Sequence, residues 1–460
     1  METFQTMDPS QAWQPAQFNK WDLRQAAHLY RRAAFGFPPS RADETAWQAL
    51  QERVKQGPEA CLDELLVKPP SEAPSPTDRL LDRLGERIAT ENELHKLQGW
   101  WLYRMVYTQR PLEERATLLW HNHFATSVDK VTSLRHMLRQ NQLLRCHALG
   151  HFSDLLTAIG RDPAMIIWLD TQKNVKGRPN ENYAREVMEL FSLGVGNYTE
   201  QDVREAARAF TGFTIREGQF YFNALLHDDG PKTIFGQQGN FSGDDVARLI
   251  LEQPAAAMFI AGKLFREFVA DEDPPPALLE PLARQLRETN YDIHQALSTI
   301  LRAQLFFSPA AYRARIKSPV EYVVGLLRVF ESGIHFDSVA ETLESLGQSL
   351  FAPPNVKGWD GGTQWLNSAT VIARQNLAWD FGHGVYGQWD AEKMLHAMAP
   401  HNIKSPSQQL ALACDLFLQG DVTPQVRKRL MSLAQPSEGS VKSINELVHL
   451  VLTLPEYQLA

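Results

Sequence analysis

The stretch "PLEERATLLWHNHFATS", residues 111–127, sets two histidines two positions apart among large apolar side chains. Pro111 suits the first turn of a helix, and Glu113 and Glu114 lie where the helix dipole favours negative charge. Leu112, Ala116, Leu119 and His123 then share one helical face, while His121 falls on another with Glu114 and Leu118. Side chains two apart on a helix point about 200° away from each other. If the helix runs through Phe124, His121 and His123 cannot chelate one ion side by side. If it ends at Trp120 and the chain extends, they share a face and can. Each histidine is equally well read as a buried core residue with a hydrogen-bond partner.

Outward from this segment the pattern is helical. "NELHKLQGWWLYRMVYT" precedes it, and "SLRHMLRQNQLLRCHALG" and "HFSDLLTAIG" follow, stopping at Gly150 and Gly160. Upstream, "WDLRQAAHLYRRAAFG" ends at Gly36, and Ser40 is a good N-cap for a helix running towards Gly57. "VKPPSEAPSPTDR" reads as an exposed connector. Residues 213–240 break the pattern: "GQFYFN" and "KTIFG" are short β-prone runs, predicting a small hairpin or ordered loop pair. From Val371 the chain is helical again. The expected fold is mainly α, a large multi-helix bundle with a small β-hairpin insertion. Its expected parts are an N-terminal helical subdomain (1–68), a core (78–370) and a C-terminal helical segment packed on it (371–460). Trp100, Trp101, Leu119, Trp120, Phe124, Ile166, Ile167, Trp168, Phe191 and Phe210 carry the helical periodicity and should be mostly buried.

The bulk properties exclude several function classes. The 460 residues carry a formal charge of −8, which argues against broad nucleic-acid binding. Three widely spaced cysteines form neither a disulfide framework nor a zinc ribbon. No apolar run reaches the ~18 residues of a membrane span. The N-terminus lacks the basic and apolar regions of a signal peptide, which places the chain in the cytoplasm by default. Export would then require a partner that carries a signal. There is no GxSxG elbow, HExxH or Walker loop.

The densest polar constellation is "DTQKNVKGRPNENYAREVMELFSLGVGNYTEQDV". Asn180 is a good N-cap for a helix over residues 181–193, on which Asn182, Glu186 and Glu189 share a face. That face is either part of a site or a solvated, ion-paired surface. Thr199 and Asp202 form a capping box for the next helix. Asp170 closes the apolar run "RDPAMIIWLD". "LLHDDGPKT" offers His227, Asp228 and Lys232 in a loop, where His and Asp can bind a metal or position a general base. "PPNVKGWDGGTQW" offers Asn355, Lys357, Trp359 and Trp365, with glycines that allow close backbone approach.

Taken in order, "GWWLYRMVYTQRPLEERATLLWHNHFATS", "DPAMIIWLD", "NENYAREVMELFSLGVGNYTEQDV", "HDDGPKTIFG" and "PPNVKGWDGGTQWLNSAT" resemble the bacterial DUF1800 family, whose members are uncharacterised. The resemblance runs from "LYRRAAFG" to "ARQN", with Val187 standing where the family more often shows leucine. It implies a mainly helical body. It also implies a partner, because members are often encoded beside DUF1501 proteins, which resemble sulfatases and often carry a twin-arginine signal.

These readings lead to two expectations of function. One is a metal-assisted hydrolytic enzyme, with His121, His123, Glu186, Glu189, His227 and Asp228 in catalysis. Its metal, zinc, manganese or iron, would be held by His121, His123, Asp170, Glu186 and His227. Asn180, Asn182, Lys232, Asn355, Lys357, Trp359 and Trp365 would contact substrate, and His123, Glu186 and His227 would converge on one cavity. The other is a non-catalytic partner or escort of a DUF1501 protein, which should show a broad apolar surface patch instead.

Overall fold

The computed structural model describes residues 3–39, 44–67, 75–330, 334–387, 405–433 and 444–460. The helices start where side chains can satisfy the free N–H groups of the first turn. Asp22 caps Leu23–Ala33, Ser133 caps Leu134–Cys146 and Asp162 caps Pro163–Trp168. Thr199 and Asp202 form the expected capping box on Glu200–Ala209. The helix after Gly36 begins at Ala46, capped by Thr45 rather than Ser40, which lies outside the described residues. Residues 68–74 of the Pro/Ser-rich connector lie outside them too.

Helix Pro111–His123 is the axis of the molecule. Every one of its residues except Asn122 is buried. It packs on Leu23–Ala33, Leu94–Tyr107 and Leu134–Cys146. A helix enclosed on all sides is normally apolar throughout, yet this one carries Glu113, Glu114 and Arg115. Each buried charge is paired, as the cost of desolvation requires. Arg145 binds Glu114 at 2.6 Å, Arg104 approaches it at 3.5 Å, and the Trp101 indole donates to it at 2.9 Å. These partners hold the Glu114 carboxyl at about 2 despite its burial.

Around this axis one continuous apolar cluster runs from Phe4 to Tyr457. Of the ten residues expected in the framework, eight are buried; Ile167 and Trp168 are half-buried. Helix Leu94–Tyr107 lies so close to Phe336–Ser345 that a Cβ on Gly99 would stand 2.8 Å from the Asp337 backbone nitrogen. Only glycine permits that approach.

The insertion at 213–240 contains two hairpins rather than one. Phe213–Arg216 pairs antiparallel with Gln219–Phe222, and Lys232–Ile234 with Gln237–Gly239. Both turns are two residues long, Glu217-Gly218 and Phe235-Gly236, with positive φ throughout. That is the turn geometry that matches the twist of a hairpin. The C-terminal region is helical over Ser368–Gly382, Pro406–Leu418, Pro424–Leu433, Ile444–Leu452 and Pro455–Gln458.

Candidate functional site

The helix does run through His123, so residues 121, 122 and 123 project in three directions about 100° apart. Each holds a different part of the chain. His121 Nε2 accepts from the Phe351 backbone N–H at 3.1 Å. Its ring lies edge-on to Trp101, with ring centres 5.0 Å apart, and burial pushes its pKa down to about 3, so it stays neutral. Asn122 clamps the backbone of Trp359 from both sides. Its Oδ1 accepts from the Trp359 N–H at 2.7 Å and its Nδ2 donates to the Trp359 carbonyl at 3.2 Å. Gly358, at φ +82°, lies directly against Asn122. His123 bonds the Phe191 carbonyl through Nε2 at 2.9 Å.

A carbonyl oxygen only accepts, so Nε2 of His123 carries the hydrogen and Nδ1 keeps a lone pair. That Nδ1 is buried and has no partner. Burial, then the charge of Lys263, holds the imidazole well below its ordinary pKa. The Phe191 carbonyl is available because the preceding helix ends early. It spans Asn182–Glu189, where residues 181–193 were expected, and Asn180 instead accepts from the Asn182 N–H at 3.0 Å.

His123 and Asn122 open onto a cavity of about 760 Å³. Helix Pro254–Phe268 contributes Lys263, Arg266 and Glu267 to its wall; residues 313–321 contribute Arg313, Arg315, Ser318 and Glu321. The loop clamped by Asn122 closes it with Trp359, Gly361, Gly362 and Trp365. Part of that wall is a largely buried cluster of guanidinium and carboxylate groups that reaches back to Arg115. Arg115 binds Glu267 at 2.6 Å and Glu321 at 2.9 Å, and Arg315 binds Glu321 at 3.0 Å. Arg315 also approaches Glu267 at 3.6 Å and Asp271 at 3.7 Å. Burial opposes the charge on Glu321, but the two arginines outweigh it and hold the carboxyl at about 2. For Glu267 and Asp271 burial wins, and both are raised.

Lys263 differs from its neighbours. Among the described residues it has no hydrogen bond or ion pair; its Nζ lies 5.5 Å from the centre of the Phe259 ring. Burial first, then the like charges of Arg266 and Lys357, push its pKa down to about 8. An amine at that value is about one-fifth neutral near physiological pH, against about a thousandth for an ordinary lysine.

Of the residues singled out in the sequence, this cavity brings together His123, Trp359 and Trp365. Lys357 and Asn355 lie on the same loop, the former paired with Asp360 at 2.6 Å and the latter accepting from the Lys357 N–H. The others lie outside the cavity lining, and most of them are engaged elsewhere. His227 Nδ1 bonds the Thr211 carbonyl at 2.8 Å. Asp228 is held at about 2 by its bond to Arg208. Lys232 is buried, donates to the Gly230 carbonyl at 3.0 Å, and is lowered by that burial. Asp170 is paired with Lys173 and Lys130, which lower it. Asn182 is exposed, and Glu189 accepts from the Tyr198 hydroxyl at 2.6 Å. Glu186 is half-buried and raised, by burial and then by Glu189. Among the described residues, no group of three or more His, Cys, Asp or Glu is placed to hold a metal ion.

Sequence reasoning missed Asn122, Lys263, Glu267, Arg315 and Glu321. Asn122 stood in the quoted motif between two more conspicuous histidines. Lys263 and Glu267 are four apart on a helix, the spacing of an ordinary surface ion pair, and neither was singled out. Nothing in the sequence shows that distant arginines take the glutamate away.

A model of a family described as a protein of unknown function, DUF1800, matches residues 28–459. No curated protein and no solved structure matches the chain.

Proposed function

We propose, for a chain that the match over residues 28–459 makes a member of the DUF1800 family, that the cavity between His123 and Lys263 is the working site of an enzyme. The enzyme acts on a small polar molecule by proton transfer. His123 Nδ1 accepts a proton, and Lys263 meets the ligand with its amino group. One observation carries the reading. In a single cavity stand an imidazole fixed with its lone pair unpartnered and an amine with no protein counter-ion, while Glu267, Glu321 and Arg315 beside them are paired. A buried polar atom without a partner costs about 1–3 kcal/mol. His123 Nδ1 is such an atom, and Lys263 stands half-buried on the same wall without a counter-ion, an arrangement that a ligand would satisfy; shifted pKa values cluster at such sites.

Water activation by His123, the first step of a hydrolase, lies within this arrangement. A metal-assisted form of it would need more than His123. Of His121, His123, Asp170, Glu186 and His227, His123 lines the cavity and the other four do not, so no step is assigned to a metal.

The test is pulsed acetylation with acetic anhydride between pH 6 and 11, read by peptide mass spectrometry. Lys263 should become reactive with a midpoint near pH 8, about two units below exposed lysines. A Lys263 that titrates with the exposed lysines, or that no reagent reaches at any pH, removes the site.

A second reading, a surface for a DUF1501 partner, has one observation in its favour. Helix Ser368–Gly382 leaves Val371, Ile372 and Trp379 exposed at 37%, 58% and 44%, with Val385 beyond it at 60%. Co-expression tests it. A DUF1501 protein should co-purify with the wild type and not with Trp379→Glu; equal recovery with both ends this reading. The chain has no helix, among the described residues, long and apolar enough to cross a membrane.

A further inference from the structure

Resting on the cavity reading above, we propose that Lys263 is an amine nucleophile that forms an imine with an aldehyde or ketone bearing an anionic group. The geometry begins with Glu267, one helical turn beyond Lys263 and its natural ion-pair partner. Glu267 is turned instead to Arg115 and Arg315. Asp271 faces Arg315 and accepts from the Ile316 N–H at 2.7 Å. Of the neighbouring cations, Arg266 is tied to Asp273 and Lys357 to Asp360. Lys263 is left in the cavity wall beside the Phe259 ring with no acid of its own.

Two consequences follow from that placement. Burial and the positive field of Arg266 and Lys357 disfavour the ammonium form, so a neutral amine is present near pH 8. A neutral amine is the reactive form of a lysine nucleophile. Arg266 and Lys357 already have Asp273 and Asp360, so a carboxylate or phosphate on the ligand would serve as the counter-charge that Lys263 itself lacks, in a cavity whose lining also holds Glu272.

The step balances without any other reagent. The Nζ lone pair attacks the carbonyl carbon and the C=O π pair moves to oxygen. His123 Nδ1 takes one proton from the nitrogen and passes it to the alkoxide, giving a carbinolamine and a neutral imidazole. The nitrogen lone pair then expels the hydroxyl as His123 takes the second proton from the nitrogen and hands it to the departing oxygen, so both amine protons leave in the water. The product is an imine at Nζ, and nothing is oxidised or reduced.

The experiment incubates the full chain with pyruvate or glyoxylate at pH 8, reduces with sodium borohydride and maps the modified peptides. Hydroxyacetone, a ketone without the carboxylate, is the paired probe. The expected result is a reduced adduct on Lys263 exceeding that on any exposed lysine by about tenfold or more, since its free-amine fraction at pH 8 is about a hundredfold larger. Hydroxyacetone should label Lys263 several-fold less, and Lys263→Arg, folded by circular dichroism, should lose the site-specific adduct. Adducts spread evenly over exposed lysines, or none on Lys263 with either acid, overturn the imine. A parallel arm omits borohydride and asks whether pyruvate slows acetylation of Lys263. Protection without a reducible adduct sinks the imine and leaves the ligand cavity standing. Neither protection nor adduct, with Lys263 titrating as an exposed lysine, sinks both.

Discussion

Replacing Gly358 by alanine tests whether Asn122 and the loop over the cavity are locked together. Gly358 has φ +82°, a left-handed conformation that costs an L side chain about 1–2 kcal/mol. A Cβ there would also meet Asn122 head-on, at both its Oδ1 and its backbone oxygen, with the Asn122 Cγ 3.2 Å away. A side-chain amide can rotate away, but the carbonyl of a helical residue cannot, so the loop itself must move. Forcing an extra carbon into a packed site costs about 1–3 kcal/mol. Moving the loop also strains the two hydrogen bonds that hold Trp359, each worth about 0.5–1.5 kcal/mol. The expected loss is therefore about 3–5 kcal/mol. Gly177 supplies the control, with φ +81° and nothing within 4 Å of an added Cβ. Gly177→Ala carries the conformational cost alone, about 1–2 kcal/mol, less some gain from the stiffer unfolded chain. Urea unfolding of the two variants, compared at unchanged m-value, isolates the collision as their difference. Equal losses would refute the close packing of this loop on helix Pro111–His123. A Gly358→Ala protein that is destabilised but keeps the reactivity of Lys263 would show that the loop does not shape the cavity.

Three further outcomes are expected. Burial raises Asp162 to about 7 against an ordinary 3.8, so between those values the folded chain keeps a proton that the unfolded chain loses. Stability should therefore fall as pH rises through that window. Asp162→Asn, which can still accept from the Met165 N–H and from Gln140, should flatten that slope in chemical denaturation, and a slope unchanged by the substitution would count against it. Arg115→Met strips a partner from both Glu267 and Glu321 and should cost about 3–5 kcal/mol, more at pH 8 than at pH 5 because Glu267 can then take a proton. A pH-independent loss in thermal melts at the two pH values would show that the carboxylates are not the cause. Gly99→Ala should destabilise although alanine is the better helix former by about 1 kcal/mol, because its Cβ collides with the Asp337 backbone. A raised melting temperature would contradict that contact.

The sequence by itself determined the elements. Periodicity, proline and the capping pairs are local, so the helix from Pro111, the capping box of Thr199 and Asp202, and the β-containing insertion were all legible. Family membership was legible too, from long motifs. Trp359 and Trp365 could be named as candidates because glycines beside aromatics mark a close approach, although the partner in that approach, Asn122, could not. Tertiary structure alone decided which charges met. Arg115 reaches Glu267 and Glu321 across 152 and 206 residues, and no spacing rule connects positions so far apart. Those pairings remove Glu267 from Lys263, four residues away, and so create the lone amine. His227, Asp228 and Lys232 stood out by residue type, yet neighbours in their own loop and the adjoining helix satisfy them. A side chain's chemistry is written in the sequence, but whether its partner is protein, water or ligand depends on long-range packing, which local pattern does not encode.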